Sequence, residues 1–415
     1  MNFGVQTPGS APGDDRDLKL HLPTYALTRR ALPAGANWLN WSAPTASWLR
    51  LMVLTGFLGL CVLTFFAIEQ PIETYHSNLR LGADSHTYFA FAQTLQQNGT
   101  RNVEFIGLGA NFIGPVVLAL LLKTPFWVMV ANIAMFLFAI EICAPVNGLS
   151  RTSLGLLLAL NATTLVSLVT LNKEIFALTA SLLLCRYIYT DSKSKLLLAA
   201  ILIIGLMARW EQSVITLMFL FFTRQGSFFR RHPYAALLLL IAIITVAYPL
   251  ALNSRSVDLT AFTDQAQSGN SILVLDHVQS SYGFPLVVIP KAAMSLFGDA
   301  LTPSYWLTDY LHQDFTDLAN SLVIRLHCLA MLLVFLAALC KGRLKMSRPL
   351  PFFMALYLII TAANPFTQPR YEYPIYVLLC FELARREWTR RPARLRVNLR
   401  QPHRRMAQSK LAEEG

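Results

Sequence analysis

The sequence predicts an all-α protein that crosses a membrane about ten times, with further helices at the membrane interface in its first external loop and in a long loop over 253–320. Three observations carry this. Apolar runs near twenty residues long recur along the 415-residue chain, and each can cross a hydrocarbon core of roughly 30 Å. Hydrophobic residues make up 54% of the chain and charged ones only 14%, with a mean hydropathy of +0.46. The basic residues gather in tails and in short loops between the apolar runs, the bias that marks cytoplasmic loops. In lipid a backbone must satisfy its own hydrogen bonds, so the spans are helices.

The net charge of +12 reports orientation in the membrane, and no nucleic-acid partner is expected. The six cysteines fall within or at the ends of apolar runs and show no CxxC or Cys/His spacing. No internal repeat, Gly-rich nucleotide loop or soluble catalytic domain is legible.

Residues 1–46 are rich in Pro, Gly, Ala and polar groups and read as a largely disordered cytoplasmic tail. Residues 47–388 form the multi-spanning domain, and 389–415 a basic cytoplasmic tail. The first span covers 51–68. Lys19, Arg29, Arg30 and Arg50 precede it and place the N-terminus inside. Residues 71–104 are then external. They carry Glu73, Arg80, Asp84, His86, Arg101 and Glu104, and the run Asp84-Ser85-His86-Thr87 is suited to cap a surface-lying helix that reaches Gln97.

Parity orders the rest. The stretch 105–122 holds Gly107, Gly109, Gly114 and Pro115, poor residues for a straight lipid-facing helix, and is read as interfacial or re-entrant. Spans then follow at 126–144, 154–171, 175–190, 195–208, 213–223 and 234–252. In the long loop, an amphipathic helix after Phe284 lies at the interface with Lys291 at headgroup level. Spans 322–340, 350–363 and 374–388 close the set. Every strongly basic loop then faces the cytoplasm: 191–195, the segment with Arg224, Arg230 and Arg231, and the segment with Lys341, Arg343, Lys345 and Arg348.

Three charged breaks return to the external face that carries Asp84: Asn172-Lys173-Glu174, Arg209-Trp210-Glu211 and Pro369-Arg370-Tyr371-Glu372. Ionisable groups between apolar runs are expensive and usually face a cavity or a partner. Asp84 reads either as a solvated helix cap or as a general base or metal ligand. Lys173-Glu174 reads as an interfacial ion pair or as a phosphate-binding lysine with a glutamate that positions a neighbour. Arg209 and Arg370 each offer a guanidinium fork that fits phosphate oxygens. Asp276-His277 is a weaker candidate for a metal or acid/base pair.

The pattern resembles the C-type superfamily of integral-membrane glycosyltransferases, the GT-C fold. The residues that carry the likeness are Asp84 with Tyr88, the Gly114-Pro115 stretch, Lys173-Glu174 opening a helix, Arg209 at a helix end, and Pro369-Arg370-Tyr371 before the last span. The resemblance implies transfer of a sugar from a polyprenyl-phosphate-linked donor to a glycan or lipid acceptor at the external or periplasmic face of the cytoplasmic membrane. It implies Asp84 as the catalytic base and Lys173, Arg209 and Arg370 as a phosphate clamp, with Glu174, Glu211 and Tyr371 in support. A divalent metal remains open. An O-antigen-type polymerase, or a flippase or transporter of lipid-linked glycans, is the alternative.

Overall fold

The computed structural model describes residues 53, 55–65, 83–98, 113–190, 194–253, 275, 277–298, 315–364 and 369–385. The chain divides between Val53 and Leu54, and the elements below all follow that division. Glu73, Arg80, Arg101, Glu104, Asp276, both predicted tails and the first half of the 253–320 loop lie outside the described residues, as do the side chains of Asp84 and His86.

All described elements are helical. α1 (Thr55–Phe65) precedes α2 (Ala83–Asn98), α3 (Ile113–Leu122), α4 (Pro125–Ile142), α5 (Arg151–Ala159) and α6 (Ala162–Val169). Next come α7 (Glu174–Tyr189), α8 (Lys195–Ala208), α9 (Trp210–Thr223), the single turn α10 (Phe228–Arg231) and α11 (Pro233–Asn253). A π turn, Gln279–Gly283, leads into α12 (Phe284–Phe297). The last helices are α13 (Phe315–Cys340), α14 (Pro349–Ala362) and α15 (Tyr373–Ala384), with a 3-10 turn at Pro369–Glu372 before α15.

Among the described residues three helices are long and apolar enough to cross a membrane: Pro125–Ile142, Pro233–Leu250 and Leu322–Cys340. Several shorter apolar helices accompany them. α3 has ten residues, about 15 Å of helix and half of a roughly 30 Å hydrocarbon core.

The core is built on α7 and α15. Every residue from Glu174 to Cys185 is buried, and so is every residue from Tyr373 to Glu382. A helix apolar on all sides belongs inside a bundle. α7 packs against α4, α6, α8 and α15, while α15 also meets α5 and α13. Between apolar helices in lipid, association rests on close packing and hydrogen bonds rather than on expelled water. Such bonds are present. Asn132 of α4 donates through Nδ2 to Ser167 O at 3.1 Å and Thr170 O at 2.9 Å. The Thr164 and Tyr373 hydroxyls lie 2.8 Å apart. Gln212 Nε2 donates to Ser181 Oγ at 3.1 Å. Close approach is visible at Gly114, where a Cβ would sit 2.5 Å from the Met207 carbonyl oxygen, so α3 can touch the end of α8 only without a side chain there.

Two features differ from the sequence expectation. The stretch 154–171, expected as one span, is two short helices bent by 88°. Asn161 causes the break: its extended backbone and its Oδ1, which accepts from Thr163 N at 2.9 Å, start a new helix. Lys291, expected among headgroups, is fully buried. Its Nζ donates to Gln279 Oε1 at 2.6 Å and to Asn364 O at 2.8 Å, while Gln279 Nε2 donates to Ala363 O at 2.7 Å. The cation therefore sits at the C-terminal end of α14, where helix carbonyls point outward and favour positive charge.

Candidate functional site

The two innermost helices both begin in charged sequence. Lys173 is the N-cap of α7 and Glu372 the N-cap of α15. Arg209 sits in extended backbone between α8 and α9 and is the N-cap of α9. None of the three makes a side-chain capping bond. An uncapped first turn presents backbone N–H groups and the positive end of the helix dipole, an arrangement suited to anions.

These three helix starts meet around Tyr371. The Arg209 guanidinium carbon lies 4.1 Å from the centre of the Tyr371 ring. Lys173 Nζ is 5.7 Å from it, and the Arg370 guanidinium carbon 5.9 Å. All three are within the range at which a cation is drawn to an aromatic face. The backbone that presents the ring is anchored, because Tyr357 Oη donates to the Tyr371 carbonyl at 3.1 Å.

Carboxylates interleave the cations. Arg209 Nη2 donates to Glu174 Oε1 at 3.3 Å, and the two residues are 7% and 1% exposed. Glu211 follows in the first turn of α9. With Arg209, Glu174 and Glu372 it lies within electrostatic reach of Tyr357. Burial pushes the Glu372 carboxyl up to about 8, against the pull of the Thr361 hydroxyl and of Arg209. Burial thus favours the protonated form of Glu372, the form that leaves the cluster more positive.

Glu174 Oε2, Arg209 Nε, Glu211 Oε2 and Glu372 Oε2 are buried without a hydrogen-bond partner. Each such atom costs roughly 1–3 kcal/mol. Four of them in one cluster leave polar atoms that a polar ligand could satisfy.

The structure thus brings together Lys173, Glu174, Arg209, Glu211, Arg370 and Tyr371. The carboxylate of Asp84 lies outside the described side chains. Its backbone is in the opening turn of α2, and the next residue ties that turn to the site: Leu171 N donates to Ser85 Oγ at 3.2 Å, two residues before Lys173. Among the described residues no cluster of His, Cys, Asp and Glu is arranged to hold a metal ion.

Sequence reasoning missed two groups. Glu372 was legible as a charge but not as a protonated one, since its state depends on burial. His327 lies in an apolar run with no local signal. Its Nδ1 is 3.0 Å from Asn161 Oδ1 and its Nε2 3.2 Å from Pro369 O, so it joins the break before α6 to the turn that presents Arg370.

No protein-family model, curated protein or solved structure matches the chain.

Proposed function

We propose that the chain is a membrane glycosyltransferase that moves a sugar from a polyprenyl-phosphate-linked donor to a glycan or lipid acceptor. The observation that carries this reading is the gathering of Lys173, Arg209 and Arg370 on one aromatic ring, where three uncapped helices begin. Such a site fits a phosphate or pyrophosphate that departs with negative charge.

In this reading the two arginines and the lysine bind the donor phosphate oxygens. Glu174 and Glu211 orient Arg209, and Tyr371 is the platform. Asp84 takes the proton of the acceptor hydroxyl. The acceptor oxygen bonds to the anomeric carbon as the carbon–oxygen bond to phosphate breaks, and the electron pair leaves on the phosphate beside the cations. About ten spans, with every basic loop in the cytoplasm, would set the Tyr371 cluster at the external face of the cytoplasmic membrane.

The test is sugar transfer by purified protein from a radiolabelled polyprenyl-phosphate sugar. Asp84→Asn should lower the rate by roughly 100-fold or more. Arg370→Ala should lower it by a similar factor, as expected of lost charge stabilisation. Full transfer by both variants would remove the assignment.

A further inference from the structure

The helices that begin or end at Tyr371 have a second polar end. α7, α8, α9 and α14 each run from the Tyr371 region to a cavity of about 1580 Å³ at the opposite end of the bundle. That exceeds the roughly 300–1,000 Å³ typical of sites for drug-sized ligands.

Its lining joins two chemistries. Arg224, Arg230, Arg231, Lys345 and Arg348 border it, and among the described residues no Asp or Glu lines it. Phe219, Phe228, Tyr234 and Phe352 form apolar wall. Phe228 and Tyr234 are 62% and 65% exposed, so their rings are open to an acyl chain laid against them. Two helices start at the wall, α11 at Pro233 and α14 at Pro349. The α14 N-cap, Arg348, makes no side-chain capping bond, and the positive end of the helix dipole adds to the field there.

We propose that this cavity binds an anionic phospholipid, with the phosphate held by the arginines and the upper acyl chains laid along the aromatic wall. Four of the five cations are arginines, whose planar fork matches phosphate oxygens two at a time. The cavity volume and its aromatic wall exceed what a bare phosphate would use. By the same loop charges that predict the topology, the cavity is at the cytoplasmic face, where anionic headgroups present this chemistry. The proposal does not rest on the sugar-transfer reading, and its test involves no sugar.

Full-length protein in neutral detergent is incubated with phosphatidylglycerol or with phosphatidylcholine of the same chain length, and retained lipid is read by native mass spectrometry. Wild type should retain phosphatidylglycerol at least about tenfold more strongly. The triple variant Arg224→Gln, Arg230→Gln, Arg231→Gln should lose about a hundredfold in retention, the sum of three modest electrostatic contributions. Leu238 lines the cavity and is 66% exposed, so Leu238→Trp sets a bulkier side chain in the path of the acyl chains while keeping every charge and the buried core. This variant should lose retention as well. Unchanged retention by Leu238→Trp would show that surface charge alone attracts the lipid, and would overturn the proposal. Equal retention of phosphatidylcholine would overturn it too. So would displacement of the lipid by excess inorganic phosphate, which would identify a free-phosphate site.

Discussion

Arg209 stands over Tyr371, its guanidinium carbon 4.1 Å from the ring centre, although the two residues come from different charged breaks of the chain. The same guanidinium reaches Glu174 at 3.3 Å. One side chain thus joins all three breaks.

Arg209→Ala should destabilise the protein by about 3–5 kcal/mol, because Glu174 would remain buried without its cation. Arg209→Lys should keep most of that stability but lose the planar stack on Tyr371 and the fork geometry. Thermal unfolding in detergent reads the first effect. Sugar transfer, reduced in Arg209→Lys while the unfolding midpoint stays near wild type, reads the second.

Glu372 makes stability depend on pH in a defined direction. Its carboxyl is raised from 4.5 to about 8 in the fold. Between those values the folded protein keeps a proton that the unfolded chain has released. Stability should therefore be highest below the ordinary carboxyl range and fall as pH rises towards about 8. Unfolding midpoints measured across that window should show this fall in wild type and a flatter profile in Glu372→Gln.

Asn161 caps α6 and partners His327. Asn161→Ala should cost about 1–2 kcal/mol for the cap alone, and more once His327 Nδ1 loses its partner. Asn161→Asp keeps an acceptor oxygen and should cost less. Paired unfolding curves check the order.

Gly114→Leu should separate α3 from α8, since even a Cβ would stand 2.5 Å from the Met207 backbone oxygen. The expected cost is about 1–3 kcal/mol, as for other overpacked contacts. A cysteine pair placed across α3 and α8 should cross-link in wild type and fail to do so in the variant.

Lys291→Met should destabilise by about 1–3 kcal/mol, because Gln279 Oε1 and Asn364 O would lose their donor. A lysine at headgroup level would tolerate the change almost without cost, so the unfolding midpoint separates the two placements.

Much of this architecture was legible because it is local. The cap-like run at Asp84 and the helical spacing after it predicted a helix reaching Gln97, and α2 spans Ala83–Asn98. Charges that interrupt apolar runs identified the three segments that surround Tyr371, since ionisable groups at that depth need partners. What escaped the sequence depends on distant neighbours. Lys291 reads as interfacial by its own helix, yet Asn364, 73 positions away, supplies its acceptor. The stretch 154–171 is apolar enough for one span, and a single asparagine turns the chain by 88°. The protonation of Glu372 follows from burial, which no window of sequence records.

The helices that join the Tyr371 cluster to the arginine-lined cavity are short. α8, α9 and α14 have 14 residues each, about 21 Å at about 1.5 Å per residue. The outward side chains of α8 and α9, such as Leu196, Ile203, Leu217 and Phe221, are exposed and apolar. A bilayer that wets this surface must dimple against it, because these helices are about a third shorter than its oily layer is thick. Acyl chains there would splay and headgroups sink, so that long, awkward lipid tails find a lowered threshold beside the protein.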